Sequence, residues 1–140
     1  MLTKDDLDSF AYYDVDDNYA KKVKVNILSP LEMVQEFCTI MGQDPKPELY
    51  ARLIQEEMDE WLKEYMTGTK ELELKELADL VYVAFGYANA NGWDLMEAFR
   101  RVHVNNVNRC LQPDGSIKRR EDGKIMKNKD YPKVDLDDLV

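Results

Sequence analysis

Glu56, Glu57 and Glu60 lie on one helical pattern and Glu76 and Asp79 on the next. Both sets break the rule that an amphipathic helix keeps its acids on its wet face. At about 100° per residue, Tyr50, Leu53, Ile54, Met58, Trp61 and Tyr65 define an apolar arc, and Glu57 falls in its middle. Glu60 falls at the edge of that arc and Glu56 just outside it. On the second pattern Glu76 lies among Leu72, Leu80, Val83 and Tyr87, with Asp79 at the margin. A carboxylate taken out of water without a partner is costly, or shifts its pKa until it is neutral. If the two helices pack side by side the acids converge, and something positive must sit among them.

The spacing narrows what that is. An i,i+3 step places Glu57 over Glu60 and Glu76 over Asp79, about 5–6 Å apart at Cβ, which lets a pair share one or two hard cations. Oxygen ligands without histidine favour Mg²⁺, with Mn²⁺ as a substitute, over zinc. A di-iron bundle needs Glu-x-x-His pairs. The single histidine, His103, does not follow a glutamate by three residues, so that chemistry is excluded. No Ser-His or Cys-His arrangement forms around His103 either. A lysine or arginine partner for Glu57 in a purely structural bundle stays open.

The elements that must position these acids are helices. Ser29-Pro30-Leu31-Glu32 reads as an N-cap, a first-turn proline and a capping box. Leu31, Val34, Phe37, Cys38 and Met41 follow with a 3.6 period up to a stop at Gly42. Pro47 opens a second helix over about 48–66, ended by Thr67-Gly68-Thr69. A third covers about 72–89, apolar almost all round, which marks it as buried or shared with a partner subunit. Asp94-x-x-Glu97 reads as a second capping box, opening a fourth helix. Beyond Leu111 two Asp-Gly signals predict loops with one short hairpin. The fold class is all-α, with four main helices and a loop-rich basic C-terminal arm. Residues 1–28 read as an acidic N-terminal extension without clear periodicity.

Charge and composition remove several classes. A net charge of −9 argues against a protein that wraps nucleic acid. No apolar run suggests a membrane span, and the acidic N-terminus lacks the apolar core of a secretory signal. Cys38 and Cys110 lack CxxC spacing and read as reduced thiols of a cytoplasmic protein. The charge is uneven: residues 110–133 carry seven bases against four acids. An acidic body with a basic tail suits a metal site that also holds phosphates. An acidic helical interaction protein or DNA mimic is the competing class, but it gives no reason for acids inside an apolar arc.

Glu56-Glu57-x-x-Glu60, fifteen residues, then Glu76-x-x-Asp79 resembles the EExxE…ExxD signature of the all-α nucleoside triphosphate pyrophosphatases. That superfamily includes MazG-like proteins, phosphoribosyl-ATP pyrophosphohydrolases and dimeric dUTPases. MVQEFCTIMGQ resembles the first-helix segment of a MazG-like subgroup, RVHVNNVNRC its VHxSNMSK segment, and PDGSIKRREDGKIMKNKDYPKVDL its DGK-rich tail. The likeness spans residues 31–136. Asn105 and Asn108 depart from the subgroup's serines. Arg109 replaces its lysine, keeping the charge with fork geometry.

The resemblance implies a four-helix-bundle-like MazG fold over residues 29–140, and because one chain has too few helices to enclose the apolar third helix, completion by oligomerisation as a homodimer or homotetramer is expected. It implies Mg²⁺-dependent hydrolysis of a nucleoside triphosphate to monophosphate and pyrophosphate, by metal-activated water attacking the α-phosphorus. Glu57, Glu60, Glu76 and Asp79 would be the metal ligands, and Glu56 would hold a further ion or orient the water. Asn106 and Arg109, i,i+3 on the fourth helix, face a phosphate from one side; Arg109 is equally well placed as a cation at the helix C-terminus. Lys124 and Lys127, with Arg119 and Arg120 behind them, either close over the triphosphate or form a solubilising loop. Trp61, like Phe85 and Trp93, stacks on a base or belongs to the core. Base and sugar stay open across dUTP, dCTP, dGTP, damaged nucleotides and phosphoribosyl-ATP.

Overall fold

The computed structural model describes residues 28–140, so the expectation for residues 1–28 lies, Leu28 apart, outside the described part. Helices α1 (Pro30–Met41), α2 (Pro47–Thr67), α3 (Lys70–Asn91) and α4 (Leu95–Cys110) are followed by a 3₁₀ turn, Asp137–Leu139. No strand forms among the described residues, and the fold is all-α.

Local chemistry sets the helix ends. The Ser29 hydroxyl accepts from Glu32 N–H at 3.3 Å, and Ser29 N–H donates to Glu32 Oε2 at 2.7 Å, the reciprocal capping box. Gly42 closes α1 at φ 61°, a left-handed conformation that costs a glycine little. Helix α3 starts two residues before its expected place because Thr69 Oγ1 accepts from Leu72 N–H at 3.3 Å. The second capping box is only half made. Asp94 accepts from Glu97 N–H at 3.0 Å, while the Glu97 carboxylate turns to Arg100 and Arg101 instead.

The described residues divide into two compact units, 28–91 and 92–140. In the first, α3 packs against both α1 and α2. Only Gly68 and Thr69 separate α2 from α3, so the two run antiparallel as a helical hairpin. Their register is legible at one close approach. A Cβ on Gly86 would lie 2.0 Å from Cε1 of Tyr50, so the buried Tyr50 ring lies directly on the α3 backbone there. Around it Cys38 Sγ lies 3.5 Å from Tyr50 Oη, Tyr50 donates to Gln43 Oε1 at 3.0 Å, and Asn89 Nδ2 donates to Cys38 Sγ at 3.8 Å. Val34, Cys38, Tyr50, Val83 and Ala88 form the buried core.

The core covers less of α3 than its composition implies. Leu74 is 66% exposed, and Leu77 and Val81 at helical spacing beyond it are also exposed. Met33, Phe37, Ile40 and Met41 make a similar stripe on α1, and Phe37 meets Tyr82 of α3 edge to face at 6.0 Å.

In the second unit the chain after α4 folds back along that helix. Arg119 and Ile125 form an antiparallel bridge around a turn with Gly123 at φ 84°, the short hairpin expected from Asp122-Gly123. Asn128 N–H then donates to Arg109 O at 2.6 Å and Asn105 Nδ2 to Pro132 O at 2.9 Å. Arg101 grips Asp138 with two parallel bonds of 2.5 and 2.8 Å while also donating to Glu97 at 2.8 Å. The two arginines hold Glu97 down to about 2, and Arg101 holds Asp138 below its ordinary value. For carboxylates with depressed values the stabilisation is present at neutral pH and lost as pH falls through the folded value. Arg101→Met is therefore expected to free the C-terminal residues at pH 7, read as faster amide exchange at Leu139. In the wild type the same release is expected only in strong acid. Equal exchange in variant and wild type at pH 7 would show that Arg101 does not hold the segment.

Candidate metal centre

The antiparallel register carries the acids with it. Glu57 is seven residues beyond Tyr50 on α2, and Asp79 seven residues before Gly86 on α3. Two turns from the Tyr50–Gly86 approach, the pair that faces across the seam is therefore Glu57 and Asp79. Glu76 is one turn further along the same α3 face and is the buried charged residue of the core, at 8% exposure. Carboxylate oxygens of Glu57, Glu76 and Asp79 all lie within 4.8 Å of one another. One oxygen of Glu57, Oε2, is buried and has no hydrogen-bond partner.

Three carboxylates this close repel one another. Burial pushes the Glu57 carboxyl above its ordinary value, and the charges of Asp79, Glu60 and Glu76 push it the same way, with Lys75 opposing. A hard divalent cation fits this set: the ligands are all oxygen, they converge from two helices, and an orphaned buried oxygen lacks the positive partner it needs.

The lysine partner left open by the sequence is present, but it does not serve Glu57. Lys75 Nζ donates to both oxygens of Glu76, at 3.1 and 3.2 Å, and pairs with Asp79 Oδ2 at 2.7 Å. Those bonds raise the Lys75 ammonium above its ordinary value, Asp79 most strongly. Sequence reasoning missed Lys75. Its signal was there, an i,i+4 step from Lys75 to Asp79, but such steps are common on solvated helices.

The other expected residues fall as follows. Glu60 is exposed and lies outside the tight trio, though its charge is felt at Glu57. Glu56 is exposed as well. Trp61 is half-buried and stacks on Tyr65 with ring centroids 5.7 Å apart. In the second unit Asn106, Lys124 and Lys127 are exposed, and Arg120 is engaged by Asp122. Arg109 is half-buried with its Nε buried and unpartnered. Besides Glu57 Oε2, it is the other such atom among the described residues.

No helix among the described residues is long and apolar enough to cross a membrane. No curated protein matches the sequence significantly. The family described as phosphoribosyl-ATP pyrophosphohydrolase matches residues 30–106, more than half of the chain. The match contains α1, α2, α3, all five acids and Asn106, and it stops short of Arg109, Lys124 and Lys127. By this match the chain belongs to the phosphoribosyl-ATP pyrophosphohydrolase family, within the MazG-like nucleotide pyrophosphatase superfamily, and is a pyrophosphohydrolase.

Proposed function

We propose that the protein hydrolyses a nucleoside triphosphate to the monophosphate and pyrophosphate in a Mg²⁺-dependent reaction. The observation that carries this is the buried, unpartnered oxygen of Glu57 within 4.8 Å of Glu76 and Asp79 oxygens. Glu57, Glu76 and Asp79 would hold the ion, with Glu60 as an outer ligand and Glu56 orienting water. Bound there, Mg²⁺ or Mn²⁺ neutralises phosphate charge and lowers the pKa of water. The chain's own part is to fix the acids on two rigid helices, so little reorganisation accompanies the reaction.

The phosphate-binding residues of this reading are those the sequence offers on α4 and in the loops after it. Asn106 and Arg109, one turn apart on α4, offer an amide and a guanidinium. Arg109 brings a permanent charge whose planar fork suits phosphate oxygens. Lys124 and Lys127 supply exposed charge on the loops that follow. Trp61, stacked on Tyr65, offers a flat apolar surface to a base.

The matched family favours phosphoribosyl-ATP as a second substrate reading. A panel of nucleoside triphosphates plus phosphoribosyl-ATP, assayed for pyrophosphate with Mg²⁺ and with EDTA, tests both. Release with one or more triphosphates, abolished by EDTA, is expected. Release from phosphoribosyl-ATP alone selects the second reading. No release from any member overturns the activity and favours an acidic binding module.

The exposed apolar stripes of α1 and α3 further support a homodimer or homotetramer. A second copy burying Leu74, Leu77 and Val81 would complete a four-helix arrangement that one chain leaves open. Light scattering at micromolar concentration is expected to give two or four copies, and a monomer would contradict it.

A further inference from the structure

Lys75 stands out among the cations of the described residues because it bonds two of the three clustered acids at once. Helix preference does not explain the arrangement. An i,i+4 pair is better with the acid N-terminal, and here the lysine precedes Asp79. Nor does the lysine complete the cluster, since both its acid partners are on α3 and it leaves Oε2 of Glu57, on α2, unpartnered. One ammonium thus neutralises the α3 half of a three-carboxylate set and leaves the α2 half exposed to the next cation.

We propose that Lys75 is a built-in counter-ion of the metal-free site, held between Glu76 and Asp79 and displaced from them when a divalent cation binds. This rests on the metal reading of the same cluster and adds to it a means of setting affinity. The ammonium limits repulsion between Glu76 and Asp79 while the site waits. An arriving divalent ion must break two charge-assisted contacts to reach both acids, so cation concentration sets when the site fills. A divalent ion prevails because it can reach Glu57 as well, which Lys75 does not touch. Long lysine stems with exposed heads move at little cost, and Lys75 is 59% exposed at its side chain.

The test uses the full chain without substrate. Mn²⁺ is titrated into the wild type, Lys75→Met, Lys75→Gln and Lys75→Arg while the free aquo ion is followed by electron paramagnetic resonance. In parallel, thermal unfolding is recorded in EDTA. Losing the competing ammonium is expected to tighten Mn²⁺ binding about tenfold in the Met and Gln variants, a change of about 1.4 kcal/mol. Both are expected to melt below the wild type in EDTA, where the acids lose their counter-ion. Lys75→Arg should stay near the wild type in both measurements. Equal or weaker Mn²⁺ binding by Lys75→Met and Lys75→Gln, with the wild type binding normally, overturns the proposal and leaves Lys75 an ordinary surface ion pair. If no variant and no wild type binds Mn²⁺, the metal reading itself fails and the displacement with it. The EDTA melts then report only on the ion pair.

Discussion

Glu57→Gln is expected to lose metal-dependent pyrophosphate release by more than about a hundredfold, beyond the range that outer-shell partners of a metal usually cost. The same variant is expected to be more stable than the wild type when metal is withheld. The two halves have one cause. Glu57 brings a charge to a place that is partly buried and already holds Glu76 and Asp79. Without a cation that charge is a liability, and in the proposed reading it becomes a ligand when one binds. Its carboxyl is raised above its ordinary value of 4.5. The folded state therefore binds the proton more tightly than the unfolded chain, and stability falls as pH rises from about that value through the elevated folded one. The stability advantage of Glu57→Gln should thus be absent in acid below 4.5, appear across that window, and persist at neutral pH. Adding Mg²⁺ should reverse the order, because a ligand that binds only the native state raises the wild type alone. Thermal melts of both proteins at two pH values, in EDTA and in Mg²⁺, read all of this. Retained activity in the variant would remove Glu57 from the ligand set.

Gly86 is expected to be as sensitive as an acid of the site, although it lies two helical turns away from Asp79. Any side chain there enters the Tyr50 ring, 2.0 Å from Cε1 and 2.3 Å from Cδ1. Alanine would gain about 1 kcal/mol of helix propensity over glycine. Forcing the buried ring aside costs about 1–3 kcal/mol, and valine adds two more methyl groups. Gly86→Val is expected to lose about 2 kcal/mol or more, a drop in Tm of order 10 °C. It should also weaken Mn²⁺ binding, because α3 cannot move off Tyr50 without sliding Asp79 past Glu57. The coupling is specific: Tyr50→Ala should cost less in the Gly86→Ala background than in the wild type, by at least about 0.5 kcal/mol. Additive effects in that double-mutant cycle, or unchanged Mn²⁺ affinity in Gly86→Val, would show that this contact does not set the register.

Much of this architecture is legible locally. Ser29, Pro30 and Glu32 begin α1, and Gly42 ends it, as their chemistry requires. Gly68 and Thr69 mark the α2–α3 turn. The anomaly of Glu57 and Glu76 inside apolar arcs is visible from angular position alone, and both are drawn into the cluster. Glu97 is different. Its spacing from Asp94 fits a capping box, yet two arginines one turn onward outbid the Asp94 N–H for its carboxylate.

The sequence by itself determined the helices, their ends and the acids that depart from the solvated face, because caps, periodicity and turn residues act over a few positions. Tertiary structure alone decided which departures meet. Glu57, Glu76 and Asp79 converge while Glu56 and Glu60 stay exposed, because register is set by the Tyr50 ring on Gly86, a contact between residues far apart in the chain. It likewise decided that the nearby cation, Lys75, serves the acids of its own helix and leaves Glu57 unpartnered. Helical spacing says which side chains are neighbours along one helix, and only packing says which face one another across two.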